Sequence, residues 1–418
     1  MNIAIVTTEF VSEKNFDGGL ANYNYRLAKS LKAMGHRPVI IIRSEKTEKT
    51  DFDGIEVFRF EMEHYEEWLY RNKYFCKPYT LFKRMVLRKT AWLDKIARKF
   101  DYHLQSYHYG QWVKKVHKEI PFNIVHYSHL GGIGYFRPKE LPCVTRISSS
   151  TSLCQQFGGY GASDRAIRQQ EKLEFKTMKK MDGVFGPSKM IAAIIEKEIG
   201  RKIEIIETPF VEESVALDNS LYEKNLQGKK YLLFFGTIGL IKGAGTIAEI
   251  IYDLLAQNPE LHFVFVGKIQ HSPDAQKDMI EYMRSKAKEH AARIIHFDKT
   301  PHFQLYPLIS HSQFCVLPSR IDNFPNTCIE AMAHSKIVIG TLGNGFEQLI
   351  DEGKSGFLIR VDDHKQLLET ITKVLHLSPE EKTKIEANAL KRVDMLRPEK
   401  VVAQLVDFYK KTIQNFKK

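Results

Sequence analysis

The stretch that decides the fold is PSRIDNFPNTCIEAMAHSKIVIGTLGNGFEQLI, residues 318–350, which runs from the end of one strand-like segment through a loop and a helix to the next. The flanking segments, QFCVLPS (313–319) and KIVIGT (336–341), are continuous apolar runs of the kind that parallel strands bury on both faces. Between them, a loop carrying Asp322 leads directly into a helical segment carrying Glu330. Because ligands bind at the carboxyl ends of parallel strands, we expect a binding site at this loop.

Strand–helix alternation of the same kind continues towards both ends of the chain. Before a polar segment at residues 211–230, the apolar runs are IAIVTT (3–8), PVIIIR (38–43), FNIVHYS (122–128) and LPCVTRIS (141–148). After that segment they are YLLFFG (231–236), HFVFVG (262–267), RIIHF (293–297) and GFLIR (356–360). Repeated β–α units on both sides of one linker predict an α/β protein with two doubly wound parallel sheets.

Composition and cysteine spacing exclude several classes of protein. The chain has 418 residues, 43% of them hydrophobic, which suits two or three ordinary domains and excludes disordered and collagen-like proteins. No apolar run approaches the roughly 20 residues that cross a bilayer, and MNIAIVTTEF (1–10) lacks the features of a signal peptide, so we expect a cytoplasmic protein. Five widely spaced cysteines are expected to be reduced core thiols, not a disulfide framework or a zinc site: Cys76, Cys143, Cys154, Cys315 and Cys328.

The positive charge is concentrated in one window. The formal net charge is +12, and residues 71–118 alone hold 13 Lys and Arg against Asp94 and Asp101. Ten aromatic residues share this window, and in TLFKRMVLRKTAWLDKIARKF (80–100) apolar residues recur at helical spacing with basic residues between them. The window could attach to anionic lipid headgroups or a lipid-linked acceptor, or could be a helical insertion with a solvated basic face. Nucleic acid is not an expected partner, because no recognised nucleic-acid module accompanies the window.

Two glycine-rich turns precede predicted helices, where a phosphate could bind. Gly18 and Gly19 stand before a helix that starts near Leu20, and the N–H groups of such a turn can approach an anion closely. The pair could equally form only a turn. FFGTIGLIKG (234–243) lacks the dinucleotide and P-loop fingerprints, yet it places Lys242 where a cation can neutralise a diphosphate. An ordinary exposed lysine is the alternative.

The loop and helix at 322–330 carry the most specific pattern. Asn326 and Thr327 are suited to an N-cap, which would aim free backbone amides at a phosphate. Asp322 and Glu330 are eight residues apart, so one carboxylate lies on the loop and the other about a turn into the helix. They could hold hydroxyls at two places along one ligand. Each acid alone could also be an ordinary loop or capping residue.

No metal site is expected. The Asp-x-Asp at residues 51–53 is better explained as a hairpin turn that leads into DGIEVFRF (53–60). His126 and His129 have loose metal-ligand spacing, but they lack acidic or cysteine neighbours in the sequence. We therefore expect both histidines to be core or pocket residues.

Together these motifs resemble a known family. DNFPNTCIEAMAHSKIVIGT (322–341), followed by LGNGFEQLIDEGKSGFLI (342–359), resembles the donor-site signature of retaining GT-B glycosyltransferases, in particular glycosyltransferase family 4. FFGTIGLIKG is similar to that family's glycine-rich loop with its Lys-Gly ending, and FDGGLANYNYRLAKSLKAMGH (16–36) is similar to its N-terminal glycine loop and helix. The resemblance implies the GT-B fold, in which two Rossmann-like, doubly wound domains face each other across a cleft.

The resemblance also implies a task for each domain. Residues 1–212 would form the N-terminal, acceptor-binding domain, which carries the basic helical insertion at 65–118. The last helix, 398–418, would complete this first domain. Residues 228–397 would form the C-terminal domain, which would bind the nucleotide-sugar donor.

Individual roles at the donor site follow from the same resemblance. Glu330 would hold the ribose hydroxyls of a nucleotide, Lys242 would neutralise the diphosphate, and Asp322 would contact hydroxyls of the donor sugar. Asp298 and Lys299, after the strand RIIHF, would lie near the nucleobase. Glycine turns and the backbone of the Asp322 loop would supply the remaining donor contacts: Gly18, Gly19, Gly236, Thr237, Asn323, Phe324, Pro325, Asn326 and Thr327.

Three donor-side positions depart from the family pattern. Asp322 replaces the usual first Glu, which shortens the reach by one methylene and bears on which sugar is bound. Pro325 stands where Gly is common and removes one amide donor. Thr237 occupies the usual Arg position, which leaves Lys242 with less help on the diphosphate.

A fourth departure lies in the N-terminal domain. The family's histidine is not evident there, and LPCVTRISSS (141–150) offers Arg146 and Ser148 near its place. Arg146 could supply the missing positive charge across the cleft and so act in catalysis. A structural ion pair is the alternative interpretation of this arginine.

The function implied by the resemblance is retaining glycosyl transfer by a hexosyltransferase-type enzyme (EC 2.4). A sugar would move from a nucleotide sugar, with UDP-sugar as the expected donor, to a glycan or lipid-linked acceptor in cell-surface polysaccharide synthesis, forming an α-linkage. No metal or other cofactor is needed if amides, Lys242 and a helix dipole stabilise the departing diphosphate. The enzyme would be cytoplasmic and could lie on the inner face of the cytoplasmic membrane through residues 71–118. A soluble small-molecule or protein acceptor, or nucleotide or glycan binding without turnover, are the alternatives.

Overall fold

The chain forms two α/β halves, each built on its own sheet. The computed structural model describes residues 1–13, 19–62, 91–150, 152–153, 164–211, 216–274 and 276–416, with backbone alone at 91–100 and 164–166. Gly18, residues 65–90 of the basic insertion, Cys76 and Cys154 lie outside these ranges. Across the described ranges, no helix has both the length and the hydropathy of a membrane span.

In the described residues, the first half contains an eight-stranded sheet with the order β3-β4-β2-β1-β5-β6-β7-β8. Its strands are β1 (Asn2–Thr7), β2 (Arg37–Ser44), β3 (Glu48–Phe52), β4 (Ile55–Glu61), β5 (Ile124–Ser128), β6 (Cys143–Arg146), β7 (Gly183–Gly186) and β8 (Glu204–Ile205). Its helices are α1 (Gly19–Ala33), α2 (Ala91–Glu119), α3 (Asp164–Lys180) and α4 (Lys189–Ile199). Neighbouring strands pair in parallel except at the β3–β4 edge.

One edge of the first sheet, β3–β4, is not a parallel pair. These two strands form an antiparallel hairpin. Asp53 and Gly54 turn the chain with φ angles of 53° and 73°, and the Gly54 N–H donates to Oδ1 of Asp51 at 2.7 Å. The interpretation of residues 51–53 as a hairpin turn is therefore confirmed. The polar sequence of β3 gives no apolar run, because this strand lies at the exposed edge of the sheet.

In the described residues, the second half contains a six-stranded parallel sheet with the order β11-β10-β9-β12-β13-β14. Its strands are β9 (Lys230–Phe235), β10 (Leu261–Val266), β11 (Ile294–Phe297), β12 (Cys315–Val316), β13 (Val338–Thr341) and β14 (Phe357–Ile359). The α-helices after the first half are α5 (Ser220–Asn225), α6 (Ala244–Gln257), α7 (Met279–Ala287), α8 (His302–His311), α9 (Asn326–Ala333), α10 (Phe346–Leu349), α11 (His364–Leu375), α12 (Pro379–Asp394) and α13 (Pro398–Asn415).

The last helix, α13, packs on the first half of the molecule. Its Val402 and Tyr409 lie in one buried core with Ile5 of β1 and Leu27 of α1. The Tyr409 hydroxyl also lies 2.8 Å from Nδ1 of His126 in β5. Because the chain leaves the first half near residue 210 and returns after residue 396, it passes between the halves twice. The two passages are in contact, since the Phe210 N–H donates to the Leu396 carbonyl at 2.8 Å.

The polar segment at 211–230, predicted as a linker, contains the short helix α5. The Tyr222 ring of α5 stacks on His311 of α8 with 3.9 Å between the ring centroids. Leu226 is fully buried in the core of the second half. The polar composition hid this helix because only a few of its side chains contact the core.

The C-terminal part of the basic window is a core helix with a basic outer face. Tyr109, Val113 and Val116 of α2 are buried in the first half. Lys114 and Lys115 are exposed on the same helix. This part of the window therefore fits the interpretation of a helical insertion with a solvated basic face.

Candidate active site

The loop after β9 turns sharply between two glycines with positive φ. Gly236 has a φ of 113° and Gly243 a φ of 80°, a region that favours glycine. A Cβ built on Gly243 would lie 1.9 Å from the carbonyl oxygen of Pro318, so glycine lets this loop lie directly against the chain that follows β12. Lys242 stands immediately before this contact. The glycines therefore bring the lysine to the Asp322 loop.

Lys242 and Asp322, which were predicted from separate motifs, meet in the structure. The Lys242 Nζ donates to Oδ2 of Asp322 at 2.5 Å, across 80 residues of sequence. Asp322 is mostly buried and Lys242 is about one third exposed. Each charge is thus neutralised by the other.

The second glycine turn, residues 343–345, contacts the backbone of the Asp322 loop. The Gly345 N–H donates to the Asp322 carbonyl at 2.9 Å. A Cβ built on Gly345 would lie 2.2 Å from the Asn323 carbonyl oxygen, so a side chain there would displace the loop. Glu347, which follows this turn, is exposed on α10.

The residue that caps the N-terminus of α9 is not the one that was predicted. Asn326 and Thr327 were expected to provide an N-cap, but they are the first two residues of the helix. Pro325 is the N-cap, with φ −70° and ψ 109°, and its carbonyl accepts from the N–H of Cys328 at 3.1 Å. The reason is that proline has a fixed φ suited to helix entry, so the helix starts one residue earlier.

Free amides remain at this helix end despite the corrected cap. The first N–H groups of any helix have no partner within the helix, and the helix dipole favours an anion beside them. In α9 these groups belong to Asn326 and Thr327. A Cβ built on Gly236 would lie 3.4 Å from Cγ2 of Thr327, so the glycine loop after β9 is next to this helix end. Thr237, which follows Gly236 in this loop, is half-buried.

Glu330 is buried one turn into α9, with 7% of its surface exposed. Its Oε1 lies 3.8 Å from Nε2 of His302, the first residue of α8. The predicted nucleobase residues Asp298 and Lys299 are exposed on the loop between β11 and α8. Sequence reasoning missed His302. The sequence feature that could have identified His302 is its position as the first helical residue after that loop.

Asn323 connects the Asp322 loop to the first half. Its Nδ2 donates to the carbonyl of Ser148 at 2.5 Å. Its Oδ1 is buried and has no hydrogen-bond partner in the described part of the chain. Phe324, the next residue, is buried in the core of the second half. The loop therefore reaches from the core of the second half to the backbone of the first half.

Arg146 lies at the carboxyl end of β6 and is only 6% exposed. Its guanidinium carbon lies 3.6 Å from the centroid of the Tyr23 ring. Its two terminal nitrogens donate to the hydroxyls of Ser148 at 3.3 Å and Thr208 at 3.0 Å. Burial lowers the pKa of Arg146. No carboxylate forms an ion pair with it among the residues that the structure describes, so the predicted alternative of a structural ion pair is not found there.

The two histidines are buried, as predicted. The Tyr409 hydroxyl lies 2.8 Å from Nδ1 of His126, and burial together with the charge of Arg146 lowers the pKa of His126 to about 3. Nδ1 of His129 accepts from the Ser148 N–H at 3.1 Å, while its Nε2 lies 2.9 Å from the Ser149 carbonyl. His129 therefore fixes the backbone of the loop that Asn323 contacts.

Gly19 is the first residue of α1 and is exposed. A Cβ built on it would meet no atom of the described residues within 4 Å. The structure does not describe Gly18.

Two further features concern metals and thiols. Within the described ranges, no group of three His, Cys, Asp or Glu residues is placed to hold a metal ion. Cys143, Cys315 and Cys328 are buried free thiols, as predicted. Burial raises the pKa of Cys143 and of Cys315 to about 12.

Two protein-family models match the chain. Glycosyltransferase Family 4 matches residues 17–212. Glycosyl transferases group 1 matches residues 221–392. The two matches follow the two halves of the fold and together include most of the chain.

Curated relatives are distant and matched in part. Spore coat protein SA of Bacillus subtilis (strain 168) is 26% identical over 165 residues, which are 37% of this chain and 42% of that protein. The lipopolysaccharide core biosynthesis mannosyltransferase LpcC of Rhizobium leguminosarum bv. viciae is 23% identical over 158 residues, 37% of this chain and 44% of that protein. The chain spans about two fifths of the length of the curated relatives it matches.

A solved structure matches over nearly the whole length. HepE of Anabaena, in complex with UDP, superposes with a TM-score of 0.69 at 14% identity, covering 98% of this chain and 100% of that one. At this identity the likeness shows the fold, which is two facing parallel α/β domains of the GT-B type. The family matches and the fold agree with the motifs at Lys242, Asp322 and Glu330. The chain belongs to family 4 of the GT-B glycosyltransferases.

Proposed function

We propose that this glycosyltransferase moves a sugar with retention from a UDP-sugar to a glycan or lipid-linked acceptor in cell-surface polysaccharide synthesis. The observation that carries the proposal is the meeting of Lys242, Asp322 and the N-terminus of α9 at the carboxyl edge of the second sheet. A cation and free helix amides suit a diphosphate, and a carboxylate beside them suits the sugar hydroxyls attached to it.

The chain's own groups account for the leaving-group chemistry. Lys242 and the amides of Asn326 and Thr327 stabilise the negative charge that develops on the departing diphosphate. Asp322, released from Lys242 by that phosphate, holds hydroxyls of the sugar as it passes through an oxocarbenium-like state. The bond from the anomeric carbon to phosphate breaks and a bond to the acceptor oxygen forms on the same face. The acceptor proton passes to the departing phosphate oxygen, so the scheme requires no metal.

The nucleotide lies along the second half in this proposal. Glu330 holds the ribose hydroxyls, and the nucleobase lies near Asp298 and Lys299. Uridine is the favoured base because the matching HepE structure holds UDP. Gly19 approaches the donor from the opposite half, together with Gly18, and a Cβ built on Gly19 would meet no atom of the described residues within 4 Å.

Arg146 is proposed to supply positive charge from the first half. Its charge is buried beside hydroxyls and an aromatic ring, and no carboxylate pairs with it in the described ranges. A buried charge without a counter-charge is costly, so an anion in the cleft would compensate it. In this role Arg146 assists Lys242, since Thr237 replaces the arginine usual in the family.

A cell-surface glycan acceptor is supported by the names of two of the curated relatives, one a spore coat protein and one a lipopolysaccharide core mannosyltransferase. The basic window at 71–118 is proposed to hold the enzyme on an anionic membrane surface where a lipid-linked acceptor lies. Lys114 and Lys115 on the outer face of α2 belong to this window.

The donor is tested first by binding and then by turnover. Thermal-shift measurements with UDP-, GDP- and ADP-sugars should show the largest rise in melting temperature with a UDP-sugar, because a ligand of the native state stabilises it. Release of UDP in the presence of glycan acceptors should follow. Nucleotide binding with no hydrolysis or transfer of any donor would instead identify a binding protein.

Membrane attachment is tested separately. Hydrogen–deuterium exchange with vesicles that contain anionic lipid should protect residues 71–118, whereas neutral vesicles should not. Equal exchange with both kinds of vesicle would contradict membrane docking and favour a soluble acceptor.

A further inference from the structure

His302 lies beside the carboxylate to which the proposed function assigns the nucleotide ribose. Its Nε2 is 3.8 Å from Oε1 of Glu330, within the range of an electrostatic contact. Glu330 is buried, whereas the His302 side chain is about one third exposed. His302 comes from α8 and Glu330 from α9, so the contact depends on the packing of two helices.

The imidazole of His302 is held in place by an aromatic stack. Residues 302 and 306 are four positions apart on α8 and therefore share one face of the helix. The His302 and Tyr306 rings are nearly parallel, with 8° between their planes and 5.3 Å between their centroids. Tyr306 is buried and packs in turn against His334, the residue after α9, at 4.4 Å. The stack thus connects His302 to the C-terminal end of the helix that carries Glu330.

A glutamate that binds two ribose hydroxyls has to present its carboxylate in one direction. A glutamate side chain loses considerable rotamer freedom when it is ordered, and neighbouring groups that order it in advance remove that cost from binding. The imidazole of His302, whose Nε2 lies 3.8 Å from Oε1, is a polar group that the structure places next to this carboxylate. His302 also directly follows the loop of Asp298 and Lys299, where the nucleobase is proposed to lie.

We infer that His302 is a positioning residue, which holds the Glu330 carboxylate in the orientation that accepts hydrogen bonds from the ribose hydroxyls of a nucleoside diphosphate. The inference rests on the proposed function, in which Glu330 binds the ribose. It adds a residue of α8 that acts through Glu330 and determines how strongly the site distinguishes ribose from deoxyribose.

The experiment measures this distinction. The nucleotide used is whichever of UDP, GDP and ADP the wild-type enzyme binds most tightly. Calorimetry gives the dissociation constants for this ribonucleotide and for its 2′-deoxy counterpart. Wild type should bind the ribonucleotide about tenfold more tightly, which corresponds to about 1.4 kcal/mol. His302→Ala should weaken ribonucleotide binding by nearly that factor and leave deoxynucleotide binding almost unchanged. The ratio of the two constants should therefore fall towards one.

Further variants separate the polar contact from the stack. His302→Phe keeps a ring against Tyr306 but has no N–H, and it should show the same loss as His302→Ala. His302→Gln retains an amide donor and should restore much of the ratio. Glu330→Gln should abolish the preference for ribose. His311→Ala removes a ring at the opposite end of α8, where His311 stacks on Tyr222, and should leave the ratio unchanged.

The outcomes are distinguishable. A wild-type ratio in both His302→Ala and His302→Phe, with the preference lost in Glu330→Gln, would overturn the role of His302 and leave the proposed function standing. A wild-type ratio in Glu330→Gln would overturn the ribose role of Glu330 and with it the inference. Failure of the wild-type enzyme to bind any of the three nucleotides would overturn the proposed function and the inference together.

Discussion

The two sides of the cleft hold their charges in opposite ways. In the second half, Lys242 is paired with Asp322 at 2.5 Å and Glu330 lies near His302. In the first half, Arg146 is buried against Tyr23 and two hydroxyls, and the described ranges hold no carboxylate paired with it. Under the proposed function, binding of a diphosphate would require Lys242 and Asp322 to exchange partners, whereas Arg146 has no paired carboxylate in the described ranges. This comparison predicts different consequences for mutations on the two sides.

The largest effect is expected on the paired side. Lys242→Met removes the cation that is proposed to stabilise the leaving group and leaves Asp322 without its ion-pair partner. We expect kcat/KM for the donor to fall by about 10²- to 10³-fold, as loss of a group that stabilises charge in the transition state does in other enzymes. The measurement is the initial rate of nucleotide release.

Lys230 offers a matched control for this variant. It lies at the opposite end of β9 and forms an exposed pair with Glu260 at 2.9 Å. Lys230→Met should leave kcat/KM unchanged, since exposed pairs contribute little. A similar loss in both lysine variants would show that the effect at Lys242 is not specific to the site.

A smaller effect is expected on the side of Arg146. Arg146→Met keeps an apolar stem against Tyr23 and removes the charge. We expect kcat/KM to fall roughly tenfold, corresponding to 1.4 kcal/mol, because Lys242 and the α9 amides remain. The free energy of unfolding should not fall, because replacing a buried charge by an apolar side chain is often neutral or stabilising. Initial rates and urea denaturation give the two quantities.

The opposite result at Arg146 would contradict the proposed contrast between the two sides of the cleft. Full turnover with a marked loss of unfolding free energy would make the arginine a structural residue of the first half. If Arg146→Met instead lowers turnover, Arg146→Lys serves as a second measurement, because it retains the charge but not the flat surface that lies over Tyr23. Recovery of turnover by lysine would assign the effect to charge.

The smallest effect is expected at the start of α1. Gly19→Ala adds a methyl group that meets no atom of the described residues within 4 Å, so the melting temperature should stay the same or rise slightly. If the donor approaches this turn, its KM should rise by a few-fold, less than 1.4 kcal/mol in binding. An unchanged KM would contradict a close approach of the donor to Gly19.

Sequence reasoning succeeds where one local pattern determines the structure. Continuous apolar runs predicted the buried parallel strands. The glycine loop and the Asp322 loop were each predicted from a local motif. Each loop depends on residues that are close together in the chain, whereas the contact between Lys242 and Asp322 spans 80 residues of sequence.

The features that were missed depend on contacts distant in sequence or on weak local signals. The edge strand β3 and the helix α5 are polar because each is covered on one side only, so neither produced an apolar run. The contact of His302 with Glu330 requires α8 to pack against α9, which no local pattern reveals. The lack of a paired carboxylate at Arg146 is likewise a property of the tertiary structure.

The hydrogen bond between Phe210 and Leu396 has a mechanical consequence. The two connections between the halves run side by side there, with 2.8 Å between the Phe210 nitrogen and the Leu396 oxygen. Adjacent pivots confine relative motion of the halves to rotation about that one place and resist sliding. They also provide redundancy, because a chain cut in either connection remains tethered by the other, and the tether keeps the effective concentration of one half around the other high. The two connections thus act as one hinge, and cutting either of them leaves the two halves attached by the other.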